Sequence, residues 1–433
     1  MPAPQQEPLM APRKKRRLPG SPGARLTLVD QAMVSGSNFL NTVILVRALG
    51  LSGFGDFSML WLVVVFFLGL QRALLGQPLM TFVPKQDEQQ RASYMASVLR
   101  LAGIFSVLVA LATAAGFGVF TILWSTTGIE GSLPALLLLV VSKQAHEFLR
   151  SACFSTGQRD RAFWNDVVAY PGQPLVLAAL WLSGSLTLVS ALWVIGGFCA
   201  LGCLPGLRHY AGRTAAPEPL GRTAQKHWTF SRWISFMVVI QWFGSNSYLV
   251  AAAALLGTSA VGALKAAHTV IGVLHLVFLT MENVVPVNAA KFLAQAGRPQ
   301  MTAYLKRIGG LGFAGTGIIT ILLVAFPHFL LSTLYSGVVT DEMVIAMRGL
   351  AVMYLFAYAI SLLNICFRTI ERTRVVFLTY LTSTLVAVCL AETVVARFGF
   401  EGAVFGMLGQ QAFLALIMGA VWWLELRQVE PAY

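Results

Sequence analysis

Among the basic side chains inside apolar stretches of this 433-residue sequence, five are candidates for chemistry: Arg47, Arg72, Lys143, Lys265 and Arg348. A charge at the centre of a bilayer costs at least about 2.5 to 3.5 kcal/mol on insertion scales, so it normally faces protein or water and often marks a solute path. Five cations so placed describe a path for an anionic group, since Arg grips phosphate oxygens with two parallel hydrogen bonds and Lys offers a point charge. Segment counting puts Arg72 and Lys143 near mid-depth, and Arg47, Lys265 and Arg348 toward the outer ends of their helices. Arg72 is the leading candidate for a substrate contact, because no acidic residue lies within a turn and the site is too deep for easy snorkelling. Lys143 precedes Glu147 by one helical turn and could simply be paired with it. Arg47, Lys265 and Arg348 could reach the outer headgroups, so milder effects are expected of them.

Other groups with chemical potential are fewer. Asp30, Glu147, Glu282 and Glu392 are carboxylates of the kind that couple ion movement, and His146, His268 and His275 are read as hydrogen-bonded packing residues; none is assigned a coupling role. Cys199 and Cys203 lie one turn apart in an apolar run while Cys153, Cys366 and Cys389 stand alone, which is neither a disulfide framework nor a zinc site. The glycines of 309–317 and 402–409 suit close helix packing and lack the Lys-Ser/Thr of a phosphate loop. No cofactor, metal, nucleic acid or catalytic residue is expected.

The elements that must position these cations are membrane helices. Only 11% of the residues are charged, against about 25% in soluble domains, and a span takes about 20 apolar residues. Twelve apolar segments follow: Leu28 to Leu49, Phe57 to Val83, Tyr94 to Trp124, Leu133 to Phe154, Trp164 to Leu182 and Leu186 to Leu207 in the first half. Ile234 to Leu256, Val261 to Ala290, Tyr304 to Tyr335, Met343 to Phe367, Val375 to Ala396 and Ala403 to Leu426 complete the set. With an inside N-terminus, the inner segments hold 23 Lys and Arg residues and the outer loops only Arg397. Both termini are therefore expected in the cytoplasm. The expected organisation is a disordered basic tail at 1–25 held near anionic lipids, a six-helix lobe at 26–207, a linker at 208–232, a second lobe at 233–427 and a tail at 428–433.

The halves resemble one another. Leu49-Gly50-Leu51-Ser52-Gly53-Phe54-Gly55 matches Leu256-Gly257-Thr258-Ser259-Ala260-Val261-Gly262 at an offset of 207. The run from Cys153 to Arg161 matches that from Cys366 to Arg374 at an offset of 213. Six is even, so the repeats enter the membrane from one side and are parallel, which places a substrate site between the lobes. The fold class is an all-α polytopic membrane protein of twelve transmembrane helices in two parallel six-helix repeats.

The polar first helix from Asp30 to Phe39, the Arg47-Ala48-Leu49-Gly50 step into Phe54-Gly55 and the repeated basic loop resemble polysaccharide flippases, with Wzx-type translocases of the multidrug/oligosaccharidyl-lipid/polysaccharide exporter superfamily the nearest likeness. The resemblance implies two lobes in a V that move a polyprenyl-diphosphate-linked oligosaccharide between leaflets of a bacterial inner membrane by alternating access. Polysaccharide polymerase and glycosyltransferases would be functional partners. A drug or cation antiporter of the same superfamily is the alternative and would favour acidic cavity groups. A membrane-embedded glycan polymerase or ligase would be expected to carry a large outer loop, and every outer loop here is short.

Overall fold

A computed structural model describes residues 22–123, 129, 131–211 and 216–427. Most of the basic tail, the loop at 124–128 and the tail at 428–433 lie outside the described residues. The helices Pro22–Gln71, His275–Ala325 and Thr373–Arg427 each contain one glycine off the helical dihedrals, Gly50, Gly297 and Gly399. A straight helix of 50 residues would be about 75 Å long, far more than the ~30 Å apolar core it has to cross. Each is therefore two passes hinged at its glycine.

Among the described residues this gives twelve helical legs. The first six are α1 (22–49), α2 (51–85), α3 (Glu88–Leu123), α4 (Leu133–Ser155), α5 (159–182) and α6 (Leu188–Ala211). The second six are α7 (Leu220–Leu256), α8 (258–296), α9 (298–325), α10 (Asp341–Thr369), α11 (373–398) and α12 (400–427), with the short helix Pro327–Leu334 between α9 and α10. Three legs are irregular. A π-helical turn, Arg72–Gly76, interrupts α2; α5 breaks at Tyr170 and Pro171; and a 3-10 turn, Gly272–Leu274, interrupts α8. The connection between halves is shorter than the expected linker 208–232, because α7 already begins at Leu220 and carries Arg222, Lys226 and Arg232 in its first turns. Ser93 and Ser97 of α3 donate to the carbonyls of Ala216 and Glu218, tying that connection down.

The duplication is written in the backbone. Gly50 and Gly257 both adopt positive φ, a conformation that costs a residue with a Cβ, and they stand 207 residues apart. Gly184 and Gly399 are a second such pair, and Gly157 and Glu371 a third. In the third pair each α4-type helix closes with the same turn: Gln158 N–H donates to Cys153 O, and Arg372 N–H donates to Phe367 O. Those bonds set the register of this element at 214, one residue from the side-chain match, so Cys153 corresponds to Phe367 rather than Cys366. Conserving the turn outranks conserving a side chain, since the closing bonds satisfy carbonyls left over at the helix end.

The starts of α2 and α8 pack against each other. Gly55 lies on the Thr258 carbonyl and Gly262 on the Leu51 carbonyl, each so closely that a Cβ would overlap the oxygen. Equivalent helix ends meeting at one end of the molecule require a pseudo-two-fold axis along the helices, which makes the repeat parallel. That end lies opposite both termini and is called distal below.

Candidate functional site

The π turn of α2 and one face of α4 build a buried charge cluster. Arg72 Nη2 lies 3.1 Å from Glu147 Oε2, and Lys143 Nζ lies 3.5 Å from Glu147 Oε1. Lys143 also donates to the Tyr170 hydroxyl at 2.5 Å, where the break in α5 turns that ring inward. The Lys143 and Glu147 side chains are buried, whereas that of Arg72 is 60% exposed. Arg72 has one further nitrogen pair, Nε and Nη1, without a partner among the described residues. The pairing of Arg72 was invisible along the chain because Glu147 reaches it from another helix, 75 positions away.

The cluster continues one turn down α4. Arg150 bridges Asp30 of α1 at 2.7 Å and Asp166 of α5 at 2.8 Å, and His146 Nε2 lies 3.2 Å from Asp166. The spacing 143, 146, 147 and 150 is one helical stripe, so the sequence contained a signal for this face that extends beyond Lys143 and Glu147. Leaving His146 aside, the cations Arg72, Lys143 and Arg150 meet the carboxylates Asp30, Glu147 and Asp166. Each charge at this depth is thus compensated inside the first half, as low-dielectric burial demands.

Lys265 is placed differently. It stands on α8 between two adjacent hollows of about 330 and 300 Å³, lining both together with His268. The first hollow is walled by α7, α8, α10 and α12 and shows Ser245, Asn246, Gln410 and Gln411. The second is walled by α1, α2, α6 and α8 and shows Asn38, Asn41, Phe57 and Trp61. His268 hydrogen-bonds Tyr354 at 3.1 Å. No Asp or Glu lines either hollow among the described residues. The Lys265 ammonium and the Gln410 and Gln411 amides take no hydrogen-bond or ionic partner among the described residues. An ammonium without a partner among the described residues, in an amide- and aromatic-lined cavity, has the chemistry to receive an anion, with neighbouring groups suited to sugar hydroxyls and ring faces.

The remaining two cations join neither group. Arg47 donates from Nε to Leu334 O at 2.6 Å and from Nη2 to Thr333 O at 3.1 Å. These are end carbonyls of the short helix Pro327–Leu334, which have no partner within it and carry the negative end of its dipole. Arg47 thus ties α1 of the first half to the second half at the distal end. Arg348 is exposed on α10 and lines neither hollow. The structure therefore gathers Arg72 and Lys143 on one carboxylate, and leaves Lys265 to the central cavity.

Solved structures share this fold. A multidrug resistance MATE family transporter of the MOP superfamily in an inward-facing conformation superposes with a TM-score of 0.76 at 13% identity, covering 94% of this chain and 100% of the other. The lipid II flippase MurJ, in an inward closed conformation, superposes with a TM-score of 0.68 at 12% identity, covering 91% and 86%. The chain has the fold of MOP-superfamily transporters. A MOP superfamily transporter from Pyrococcus furiosus, described by the reverse polarity of its binding pocket, gives a TM-score of 0.64 at 12% identity over 95% and 98% of the two chains. No protein-family model and no curated protein matches the sequence. Within the MOP fold, the Lys265 cavity lies between the halves and the charge cluster within the first.

Proposed function

We propose that the protein translocates a polyprenyl-diphosphate-linked oligosaccharide across a bacterial inner membrane by alternating access, in cell-surface polysaccharide synthesis. The observation that carries this reading is Lys265, an unpaired cation in a cavity without lining carboxylates among the described residues. A diphosphate supplies the missing counter-charge, and the amides and aromatic rings around it suit a glycan. The fold shared with a lipid II flippase supports the same reading. A cation antiporter would need an acidic receptor. The three clustered carboxylates of α1, α4 and α5, Asp30, Glu147 and Asp166, are instead each bound to Arg or Lys.

Tight distal packing at Gly55 and Gly262, with Arg47 clasping the second half, fits a carrier closed on the distal side. The excess of basic residues at the opposite face fits cytoplasmic termini. The transport step breaks no covalent bond; chemistry on the glycan belongs to glycosyltransferases before it and a polymerase after it. Proteoliposomes carrying a polyprenyl-diphosphate oligosaccharide test the reading through exposure of the sugar to an impermeant oxidant. Wild-type protein is expected to speed exposure, and Lys265→Gln to slow that rate at least tenfold. Efflux of a cationic dye without movement of the lipid would overturn the proposal in favour of the antiporter.

A further inference from the structure

A third hollow lies beside the Lys265 cavity and has the opposite polarity. It is a groove of about 560 Å³ between α7, α11 and α12, lined by Tyr248, Leu390, Phe398, Phe405 and Phe413. Its polar lining groups among the described residues stand chiefly at two places: Ser383 and Gln410 at one end, Glu401 at the other. Gln410 also lines the Lys265 cavity, so one side chain is shared by the polar and the apolar chamber. From Gln410 the groove runs along α12 to Glu401, a rise of about 13 Å, and ends at the distal Gly399 hinge.

The small residues of α12 show that the groove is left open by construction. Gly406 packs on the Tyr248 ring and Gly402 on the Val394 carbonyl, as small residues do where helices approach. Gly409, facing the same groove, has no atom within 4 Å of where its Cβ would stand. No side chain among the described residues fills that notch.

We infer that this groove holds the isoprenoid chain of the lipid-linked substrate while its diphosphate lies at Lys265, an inference that rests on the translocation proposed above. A bulk phospholipid entering the groove would keep its headgroup at the distal surface, beside the Glu401 carboxylate, which repels an anionic one. A chain whose polar end lies at Gln410 has that end far below the distal turns, where only a molecule in transit keeps its headgroup.

A polyprenyl diphosphate bearing a photoactivatable diazirine near its chain end tests the site in proteoliposomes of phosphatidylethanolamine and phosphatidylglycerol. Cross-links are expected on residues 386–413, competed by unlabelled polyprenyl diphosphate but not by added phosphatidylglycerol. Gly409→Phe, which fills the notch, should reduce them at least tenfold, while Gly409→Ala should leave them within twofold of wild type. Leu390→Trp is a second filler should Gly409→Phe fail to fold. Cross-links elsewhere, indifference to both fillers, or equal competition by phosphatidylglycerol would overturn the assignment. Competed cross-links in the groove without sugar translocation keep the groove and sink the proposed function; translocation unaffected by a folded filler sinks the groove alone.

Discussion

Gly55 packs directly on the carbonyl oxygen of Thr258, and 207 residues further on Gly262 packs in the same way on that of Leu51. The reciprocity makes the distal contact a two-sided clasp, in which each half supplies a missing side chain to the backbone of the other. Ser52 Oγ and Thr258 Oγ1 lie 3.4 Å apart within it. In a variant lacking the five native cysteines, Ser52→Cys with Thr258→Cys should form a disulfide under mild oxidation and stop transport, with full recovery on reduction. Rapid transport by the oxidised, cross-linked protein would show that the clasp does not open. Gly55→Ala and Gly262→Ala should each destabilise the clasped state by about 1–3 kcal/mol through overpacking, reducing the yield of that disulfide.

The cluster around Arg150 makes a different demand. Asp166 is fully buried and holds both Arg150 and His146, so Asp166→Ala leaves a guanidinium short of counter-charge. Removing one partner of a buried pair costs about 3–5 kcal/mol, and the melting temperature in detergent should drop by several degrees. Asp30→Asn should be milder, because Arg150 keeps Asp166. An equal loss from the two variants would mean that the cluster does not act through Asp166.

Sequence and structure part company at identifiable places. The twelve legs and the parallel repeat were legible, because hydropathy and the offset of 207 do not depend on knowing any contact, whereas the hinges at Gly297 and Gly399 carried no such signal. The cation environments were only half legible. Lys143 and Glu147 share a helix and could be paired by spacing, whereas Arg72 with Glu147, Arg150 with Asp30 and Arg47 with Leu334 join residues 75 to 287 positions apart. Lys265 was ranked below Arg72 on depth alone. What distinguishes it is the lack of a partner among the described residues, which only the packing of α1, α7 and α12 around α8 reveals.

Arg72 remains a test of the proposed path. Its side chain is largely exposed and Glu147 retains Lys143 without it, so Arg72→Gln should cost no more than about 1 kcal/mol of stability. If the guanidinium contacts diphosphate during transit, surface glycan should fall sharply at normal protein level, with Arg72→Lys restoring part of it. Unchanged glycan export by Arg72→Gln would confine Arg72 to its ion pair.

The proposed cytoplasmic placement of both termini has a direct measurement. Single cysteines at Gly184, Gly337 and Gly399 should react with an impermeant thiol reagent in intact cells, and those at Gln89, Gly157 and Gly297 only after lysis. Labelling of the second set in intact cells would invert the orientation.

Arg47 supplies the last prediction, because its contacts change its expected role. It satisfies the end carbonyls of Thr333 and Leu334, so it acts on the short helix Pro327–Leu334 rather than on a ligand. Arg47→Ala removes two hydrogen bonds to a charged donor, each worth about 1.5–3 kcal/mol at most, at a contact that joins the halves. Amide hydrogen exchange across 327–335 should rise several-fold, and the Ser52–Thr258 cysteine pair should close more slowly, since both report the distal clasp. Arg47→Lys should recover only part of the protection, because one ammonium cannot reproduce the fork that spans two successive carbonyls. The affinity of the Lys265 cavity for a polyprenyl diphosphate should change less than the exchange rates do. A variant that lost binding while keeping slow exchange across 327–335 would return Arg47 to the substrate path and remove it from the clasp.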